Sequence, residues 1–476
     1  MQASDQCVRE FLQTVCKQIR FKGIHKDIVG ELSDHIEDQK SEYIKQGFDE
    51  ATAALKAVEQ MGDPVSIGKQ LDKAHQPKTE WSILSLALIL VIIGGAVQFL
   101  LSRVNSYNSS VFSHFLFYAP IGIIVFICAY FFDYTVLGRY SKRVYFLLVG
   151  ATLAGFMLFS RKNGAHKHVY YSALLFIPVF AAIIGGFRNK GYPGIIASGA
   201  FYAGAALLCL LAPTSSGFFL LTVSCLIILT VAIKKGFFGG DKKVGLTIVY
   251  VPVAVAAMLL FIRINNSPYD RQRLAVMLDP QSDPQGGGYQ YLMVRRLVAA
   301  LRPFGEAVLS GDLAGMRIDR FLPGWSTDFS LTYVMARLGY IPGLAIVVVL
   351  LILIVRMFIS VLKQKNSYGF FVSLSVCLAI TGQIIFYLVS NLGIIMPFSV
   401  ALPFISYGSA GFIVNMLLIG LLLSVYRRMN LVKEKMTNTV YARRRVFSVE
   451  DGKLIIDLGM VVSGNAKKEK DGLTQK

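Results

Sequence analysis

The sequence predicts an all-α, polytopic membrane protein in which ten transmembrane helices follow a small soluble helical domain. Three observations predict it. Hydrophobic residues fill 54% of the 476 positions and charged residues only 16%, too apolar for an ordinary soluble domain. The apolar residues gather into ten runs, each close to the ~20 residues that a helix needs to cross a bilayer. The residues before the first run are polar and carry apolar side chains at helical spacing instead.

Residues 1–76 are expected to form the soluble domain. "CVREFLQTVCKQI" is a first amphipathic helix, and a second runs from about Lys26 to Gln46. In "FDEATAALKAVEQMG" Asp49 is placed as an N-cap and Gly62 as a stop. In "GDPVSIGKQL" Asp63 caps and Pro64 takes the first helical position, where a missing N–H costs nothing. His25, Asp27, Glu31, Asp34 and His35 could be drawn as a metal cluster, but the same spacing makes a solvated helix face, and no metal site is assigned to them. No cleavable signal peptide is expected ahead of the first apolar run.

The ten spans are placed near 83–102, 111–131, 143–160, 169–187, 192–211, 217–233, 244–262, 329–356, 370–390 and 408–426, within a membrane domain of residues 80–428. With the soluble domain in the cytoplasm, "DYTVLGRYSKR", "RNKG", "KKGFFGGDKK", "RMFISVLKQKNS" and the tail from "YRRMN" all fall inside and all are Lys/Arg-rich. That is the positive-inside pattern of a multi-pass cell membrane protein with both termini cytoplasmic. It also accounts for the formal net charge of +19, so no nucleic-acid partner is expected. The basic external loop "RKNGAHKH" is the exception. The six cysteines lack CxxC spacing and imply no disulfide framework. The basic tail, 429–476, contains "RRRVFSVEDGKLIIDLGMVV", which suggests short strands, and a polar "KKEKDG" expected to be disordered.

One external loop, 263–328, is far longer than the others, and long loops are usually functional. It contains "LDPQSDPQGGGYQ", whose Asp-Pro and Gly-Gly-Gly steps are turn chemistry. A solvated surface loop would explain that much. The neighbours suggest more: Arg271 and Arg273 precede the aspartates, and Arg295, Arg296, Arg302, Arg317 and Arg320 follow, with Trp325 and Asp328 at the re-entry to the membrane. Guanidinium groups grip phosphate through paired hydrogen bonds. A carboxylate among them can take a proton from a hydroxyl nucleophile. The combination suits an anionic, lipid-linked substrate at the membrane surface.

"DPQSDPQGGGYQ", "LPGWSTDF" and "LPFISYGSAGFIVNMLLIGLL" resemble signature segments of the SEDS family of shape, elongation, division and sporulation proteins: DPxxDPxGxGYQ, LPxxHTDF and LPFISYGGSS. The resemblance covers roughly residues 80–430 and is strongest from Arg271 onward. It implies ten spans with cytoplasmic ends and a peptidoglycan glycosyltransferase that polymerises lipid II outside the cell membrane, in elongation, division or sporulation. It also implies a class B penicillin-binding protein as partner. Carried over, Asp283 is the catalytic group and Asp279 its companion, while Arg271 and Arg273 meet phosphate. Tyr289, Gln290, Trp325, Thr327, Asp328, Ser406 and Tyr407 become candidate substrate contacts. Tyr289 could equally pack, and Pro403 to Gly408 could equally form a capped helix start. Gly286, Gly287 and Gly288 would let the backbone approach a sugar or the membrane surface, or would simply make a loose turn. A divalent cation, Mg or Mn, is compatible with the chemistry, but no ligand cluster specifies one.

The departures from the family are local. Its HTDF histidine is Ser326, Arg337 stands near a usual glutamate, and Met293–Val294 replaces a Gln-Ser pair. A QPDLG-like motif survives only as "APTSSG", with Thr214 in place of its aspartate. Asn163 to Ala165, followed by His166, Lys167 and His168, is a possible remnant of a basic GARRW region. Arg337 inside a span would need a partner or a cavity. Two other readings stay open at this point: a flippase for a lipid-linked precursor, and a non-catalytic scaffold for a penicillin-binding protein.

Overall fold

The computed structural model describes residues 2–74, 76, 78–103, 110–159, 166–212, 214–394, 400–429, 447–450 and 453–456. The expected GARRW remnant at 163–165, the tips of the first two external loops and the polar "KKEKDG" lie outside the described residues. The chain divides into two compact units, one built on Met1–Glu80 and one on the membrane helices.

The first unit is four helices: α1 (Gln2–Gln18), α2 (His25–Lys45), α3 (Glu50–Met61) and α4 (Pro64–Ala74). Their apolar faces close on Phe11, Leu12, Val15, Ile19, Ile28, Ile36 and Ala57. The boundaries are set by side chains at the ends. Asp49 accepts the N–H of Thr52 at the start of α3, and Gly62, at φ +89°, ends it. Asp63 accepts the N–H of Ser66 at 2.8 Å ahead of Pro64. His25 hydrogen-bonds through Nε2 to the carbonyl of Ile19.

Ten helices of the second unit are long and apolar enough to span a membrane: α5 (Trp81–Ser102), α6 (Ser110–Phe131), α8 (Ser141–Leu158), α9 (Lys167–Gly185), α10 (Gly191–Leu211), α11 (Ser215–Lys234), α12 (Lys242–Asn266), α17 (Tyr340–Leu362), α18 (Ser367–Asn391) and α19 (Ser409–Arg427). The protein is a multi-pass membrane protein. A helix satisfies its own backbone, which is why apolar runs of this length cross lipid as helices. Between spans lie α7 (Tyr134–Arg139), α13 (Pro268–Leu278), α14 (Tyr289–Ala299), α15 (Ile318–Phe321) and α16 (Ser330–Leu338). The segments β1 (Phe447–Glu450) and β2 (Lys453–Ile456) pair antiparallel, so the all-α fold carries one small hairpin in its tail.

Burial sorts the spans. The apolar windows of α9 and α19 are 72% buried and that of α18 is 61% buried, whereas α12 buries 11%. The centre of the bundle is therefore α9, α18 and α19, and α12 faces outward along most of its length. Inside that centre Gln383, Asn415 and Tyr170 satisfy one another: Gln383 Nε2 donates to Asn415 Oδ1 at 3.1 Å, and Tyr170 donates to Gln383 Oε1 at 3.4 Å. Polar groups on facing helices are held this way where water is absent.

The eighth span departs from expectation. A single helix over 329–356 was predicted; instead α16 ends at Leu338 and α17 begins at Tyr340. The break is Gly339, whose φ is +101°. A Cβ there would overlap the carbonyl oxygen of Pro303, so only glycine lets the loop backbone lie this close. The N–H groups of Tyr340 and Ile341 donate to the carbonyls of Arg302 and Pro303, and those of Gly305 and Ala307 donate to the carbonyls of Leu338 and Ala336. The long loop is thus pinned along the head of the eighth span. Arg337 consequently lies ahead of the span rather than within it, and its guanidinium pairs with Glu306 of the pinned segment.

Candidate active site

The site is built where α12 finishes and α17 begins. Ser267 caps α13, accepting the N–H of Asp270, and Pro268 follows at the first position. The helix stops at Asp279, whose carboxylate accepts the N–H of Gln281 at 3.1 Å and starts a short 3-10 turn. Asp283 closes the corner. Its Oδ1 accepts the N–H of Gly286 at 3.1 Å and its Oδ2 that of Gly287 at 2.8 Å, and its carbonyl accepts the N–H of Gly288 at 3.0 Å. A half-buried carboxylate is thereby held in one orientation, with a lone pair on each oxygen still open.

The three glycines serve this corner. A Cβ at Gly288 would overlap the carbonyl oxygen of Pro280, and one at Gly286 would overlap the Asp283 carboxylate itself. In the structure they let the backbone lie close against its own chain. Tyr289 is likewise accounted for within the protein, its hydroxyl donating to the carbonyl of Phe321 at 2.9 Å and tying α14 to α15. Gln290, half-buried beside it, has no hydrogen-bond partner among the described residues.

The arginines separate into two sets. Arg296 pairs with Asp312 at 3.1 Å, Arg317 with Asp319 at 3.0 Å, Arg263 with Asp270 at 3.9 Å, and Arg337 with Glu306. Arg271, Arg273, Arg295, Arg302 and Arg320 are exposed and have no carboxylate partner among the described residues. Arg273 lies over the ring of Tyr269, 5.8 Å from its centroid, and Arg295 over Tyr291 at 5.7 Å. No arginine forms an ion pair with Asp283 among the described residues. The free guanidinium groups on α13, one helix before that carboxylate, are available to an incoming anion.

A second polar group lies where the chain re-enters the bundle. Ser330, Thr332, Tyr387 and Asn391 have no exposed surface, and Ser406 is buried beside them. Ser330 Oγ meets the Tyr387 hydroxyl at 2.8 Å and Ser406 Oγ at 2.9 Å. Asn391 accepts from the N–H and hydroxyl of Thr332 at 3.2 and 2.9 Å, and donates to the carbonyls of Asp328 and Tyr387 at 2.9 and 3.0 Å. Asn391 therefore fixes the backbone of Asp328. Thr327 closes the turn at Gly324, donating its N–H to that carbonyl at 3.0 Å. Trp325 packs on Tyr333, ring centroids 4.9 Å apart. Burial pushes the Tyr333 hydroxyl up to about 12, so it stays protonated at neutral pH.

The 402–408 segment is held from three sides. Gln98 Nε2 of α5 donates to the carbonyl of Ile405 at 2.6 Å, Ser406 accepts the N–H of Leu402 at 3.0 Å as well as meeting Ser330, and Tyr407 meets His114 Nδ1 of α6 at 2.8 Å. Phe404 adopts φ +68°, unusual for an aromatic residue, within these restraints. Ser406 and Tyr407 are thus parts of a fixed wall. Asn391, Tyr387, Gln98 and His114 were not singled out from the sequence. An asparagine or glutamine inside an apolar run was the available signal. Among the described residues no group of three or more His, Cys, Asp or Glu converges as a metal-ligand set. Asp279 and Asp283 each cap a turn, and no metal is assigned to them.

Ten spans, with a long loop fixed over one end and an oriented carboxylate in that loop, define a polytopic membrane protein with a candidate polar site at one membrane face. The chain belongs to the cell cycle protein family of FtsW, RodA and SpoVE, which it matches over residues 78–431. It is similar to the probable peptidoglycan glycosyltransferase FtsW of Idiomarina loihiensis, 31% identical over 226 residues, covering 46% of this chain and 51% of that protein. Stage V sporulation protein E of Bacillus subtilis is 28% identical over 202 residues, covering 40% and 54%. The chain thus spans about half the length of the curated relatives it matches. In fold it resembles a chain of a peptidoglycan synthase complex that coordinates polymerization and crosslinking, with a TM-score of 0.56 at 19% identity over 73% of this chain and 98% of that one. A mutant form of the rod shape determining protein RodA of Thermus thermophilus superposes with a TM-score of 0.50 at 14% identity, over 74% and 98%.

Proposed function

We propose that the protein is a peptidoglycan glycosyltransferase that polymerises lipid II at the outer face of the cell membrane, with both termini in the cytoplasm and a class B penicillin-binding protein as partner. One observation carries the reading: Asp283 is held by two backbone N–H groups at a glycine corner, directly after a helix that presents the unpaired Arg271 and Arg273. The relatives named as probable peptidoglycan glycosyltransferase FtsW support the substrate class.

In this mechanism the 4-hydroxyl of one lipid-linked disaccharide attacks the anomeric carbon of another. The C–O bond to the polyprenyl pyrophosphate breaks as the new glycosidic bond forms. Asp283 accepts the hydroxyl proton through a lone pair not used by Gly286 or Gly287. Arg273, with Arg271, steadies the charge gathering on the departing pyrophosphate. Gln290 is free to hydrogen-bond sugar, while Asp328, Ser406 and Tyr407 stand at the re-entry to the bundle as further substrate contacts.

The test is polymerisation of labelled lipid II by purified protein, wild type against Asp283→Ala, with and without added divalent metal and partner synthase. Loss of glycan strands with the fold retained supports the reading. Full polymerisation by the variant, or transfer of lipid between leaflets without polymer, overturns it.

A further inference from the structure

The end of the membrane unit opposite Asp283 holds a cluster of charge that the proposed reaction does not use. There α8 starts, α9 turns into α10, and α11 turns into α12. The two turns are locked together. The N–H of Asn189 donates to the carbonyl of Phe237 at 3.0 Å, that of Gly191 to Phe238 at 2.7 Å, and that of Asp241 to the Tyr192 hydroxyl at 3.0 Å. Asn189 takes φ +59° to complete the turn.

On this platform the ammonium groups of Lys142 and Lys190 lie 5.4 and 5.2 Å from the centroid of one ring, that of buried Phe187. Cation–π attraction holds each in place. Neither has a carboxylate partner among the described residues. Two more cations sit on nearby rings, Arg188 at 5.7 Å from Phe237 and Lys235 at 3.2 Å from Phe370. The acid of these turns, Asp241, is occupied in capping α12, accepting the N–H of Lys243 at 2.7 Å. A general bias of cations toward one membrane face would be met by lysines anywhere in these loops. It does not require two of them on a single ring.

From that ring an apolar strip leads along the lipid-facing side between α8 and α10. Phe187 touches Phe201, and Phe201 touches Phe146, each pair with centroids 6.3 Å apart. Phe146 is 64% exposed, and Leu147 next to it in α8 and Ile196 on α10 are exposed too. A cation pair at the helix ends that continues into lipid-facing aromatics has the amphipathy of a phospholipid.

We propose that Lys142 and Lys190, seated on Phe187, bind the phosphate of an anionic phospholipid whose acyl chains lie along Phe201 and Phe146. Native mass spectrometry of the full chain in neutral detergent tests this, with phosphatidylglycerol, phosphatidylcholine of the same chains, or glycerol phosphate added. Wild type is expected to retain phosphatidylglycerol in preference to phosphatidylcholine and to ignore glycerol phosphate. Retention should fall about fivefold for each lysine removed in Lys142→Gln and Lys190→Gln, the effect of about 1 kcal/mol per cation near an anionic surface. The charge-keeping Lys142→Arg/Lys190→Arg protein should restore it, and Lys26→Gln/Lys45→Gln, an equal charge loss on α2, should leave it unchanged. Equal retention of both lipids by wild type, undiminished retention by the glutamine variants, an equal loss in the α2 control, or binding of glycerol phosphate alone would each overturn the proposal.

Discussion

The long loop and the re-entry point handle polar groups in opposite ways. At the Asp283 corner the hydrogen bonds are local, spanning three or four residues, the site is open to solvent, and the arginines on α13 are left without acids. At Asn391 the partners come from the loop, α16 and α18, those on the two helices are buried, and each side-chain polar atom of the asparagine is used. The first arrangement keeps bonding capacity for a ligand. The second has none to spare and serves to fix the frame on which the first stands.

The largest expected effect separates the two directly. Asp283→Ala removes a proposed proton acceptor and should lower strand synthesis by about 100- to 10,000-fold, while the thermal unfolding midpoint stays near wild type. Asn391→Ala should do the reverse in kind. It leaves the buried Thr332 N–H without its partner, at about 1–3 kcal/mol, and also releases the part-buried Asp328 carbonyl. A lowered unfolding midpoint, with residual activity in the folded fraction, is the outcome to measure; an unchanged midpoint would erase the distinction. Gly288→Ala joins the two properties, because the added methyl must displace Pro280 or Asp283. A destabilisation of about 1–3 kcal/mol is expected, together with an activity loss that a remote destabilising variant of equal size does not show.

Smaller effects test the sorting of the arginines. Arg296→Ala breaks a pair whose members are both half-exposed or more, and should cost at most about 1 kcal/mol, less at high salt. Arg273→Ala should scarcely alter stability yet lower kcat for strand synthesis, because charge gathering on the departing pyrophosphate is left unsteadied. The smallest effect lies in the first unit. Hydrogen bonds from Thr52 hold Asp49 below the usual carboxylate range, the hydrogen bond and charge of Lys40 do the same for Glu50, and the Arg20 N–H does so for Asp72. Groups depressed on folding stabilise above their unfolded pKa, and that contribution is lost as pH falls through the folded one. Amide protection in α3 and α4, corrected for intrinsic exchange, should therefore decline below about pH 4, and Asp49→Asn with Asp72→Asn should flatten the decline.

The parts legible in the sequence are those with local causes. Ten apolar runs give ten helices because each closes its own hydrogen bonds, and Asp49, Gly62 and Asp63 mark helix ends because capping needs only neighbours. Asp283 and its glycines were visible as a motif, but their mutual contact was not, since the overlap of a Cβ with Pro280 depends on how the corner folds back. The break at Gly339 was missed because the apolar pattern runs across it; what divides the helix is the carbonyl of Pro303, thirty-odd residues upstream. Arg337 looked costly for the same reason, and its partner Glu306 comes from that same pinned segment. Asn391 depended on three segments meeting, and one strand of sequence does not disclose that.

Pinning the 302–307 segment to 336–341 has a mechanical consequence. Four main-chain bonds and one ion pair make the 302–307 segment and the head of the eighth span a single lever. A neighbour that tilts α17 from within the bilayer therefore carries that part of the long loop with it. The long loop can then be shifted by a helix that never touches a sugar.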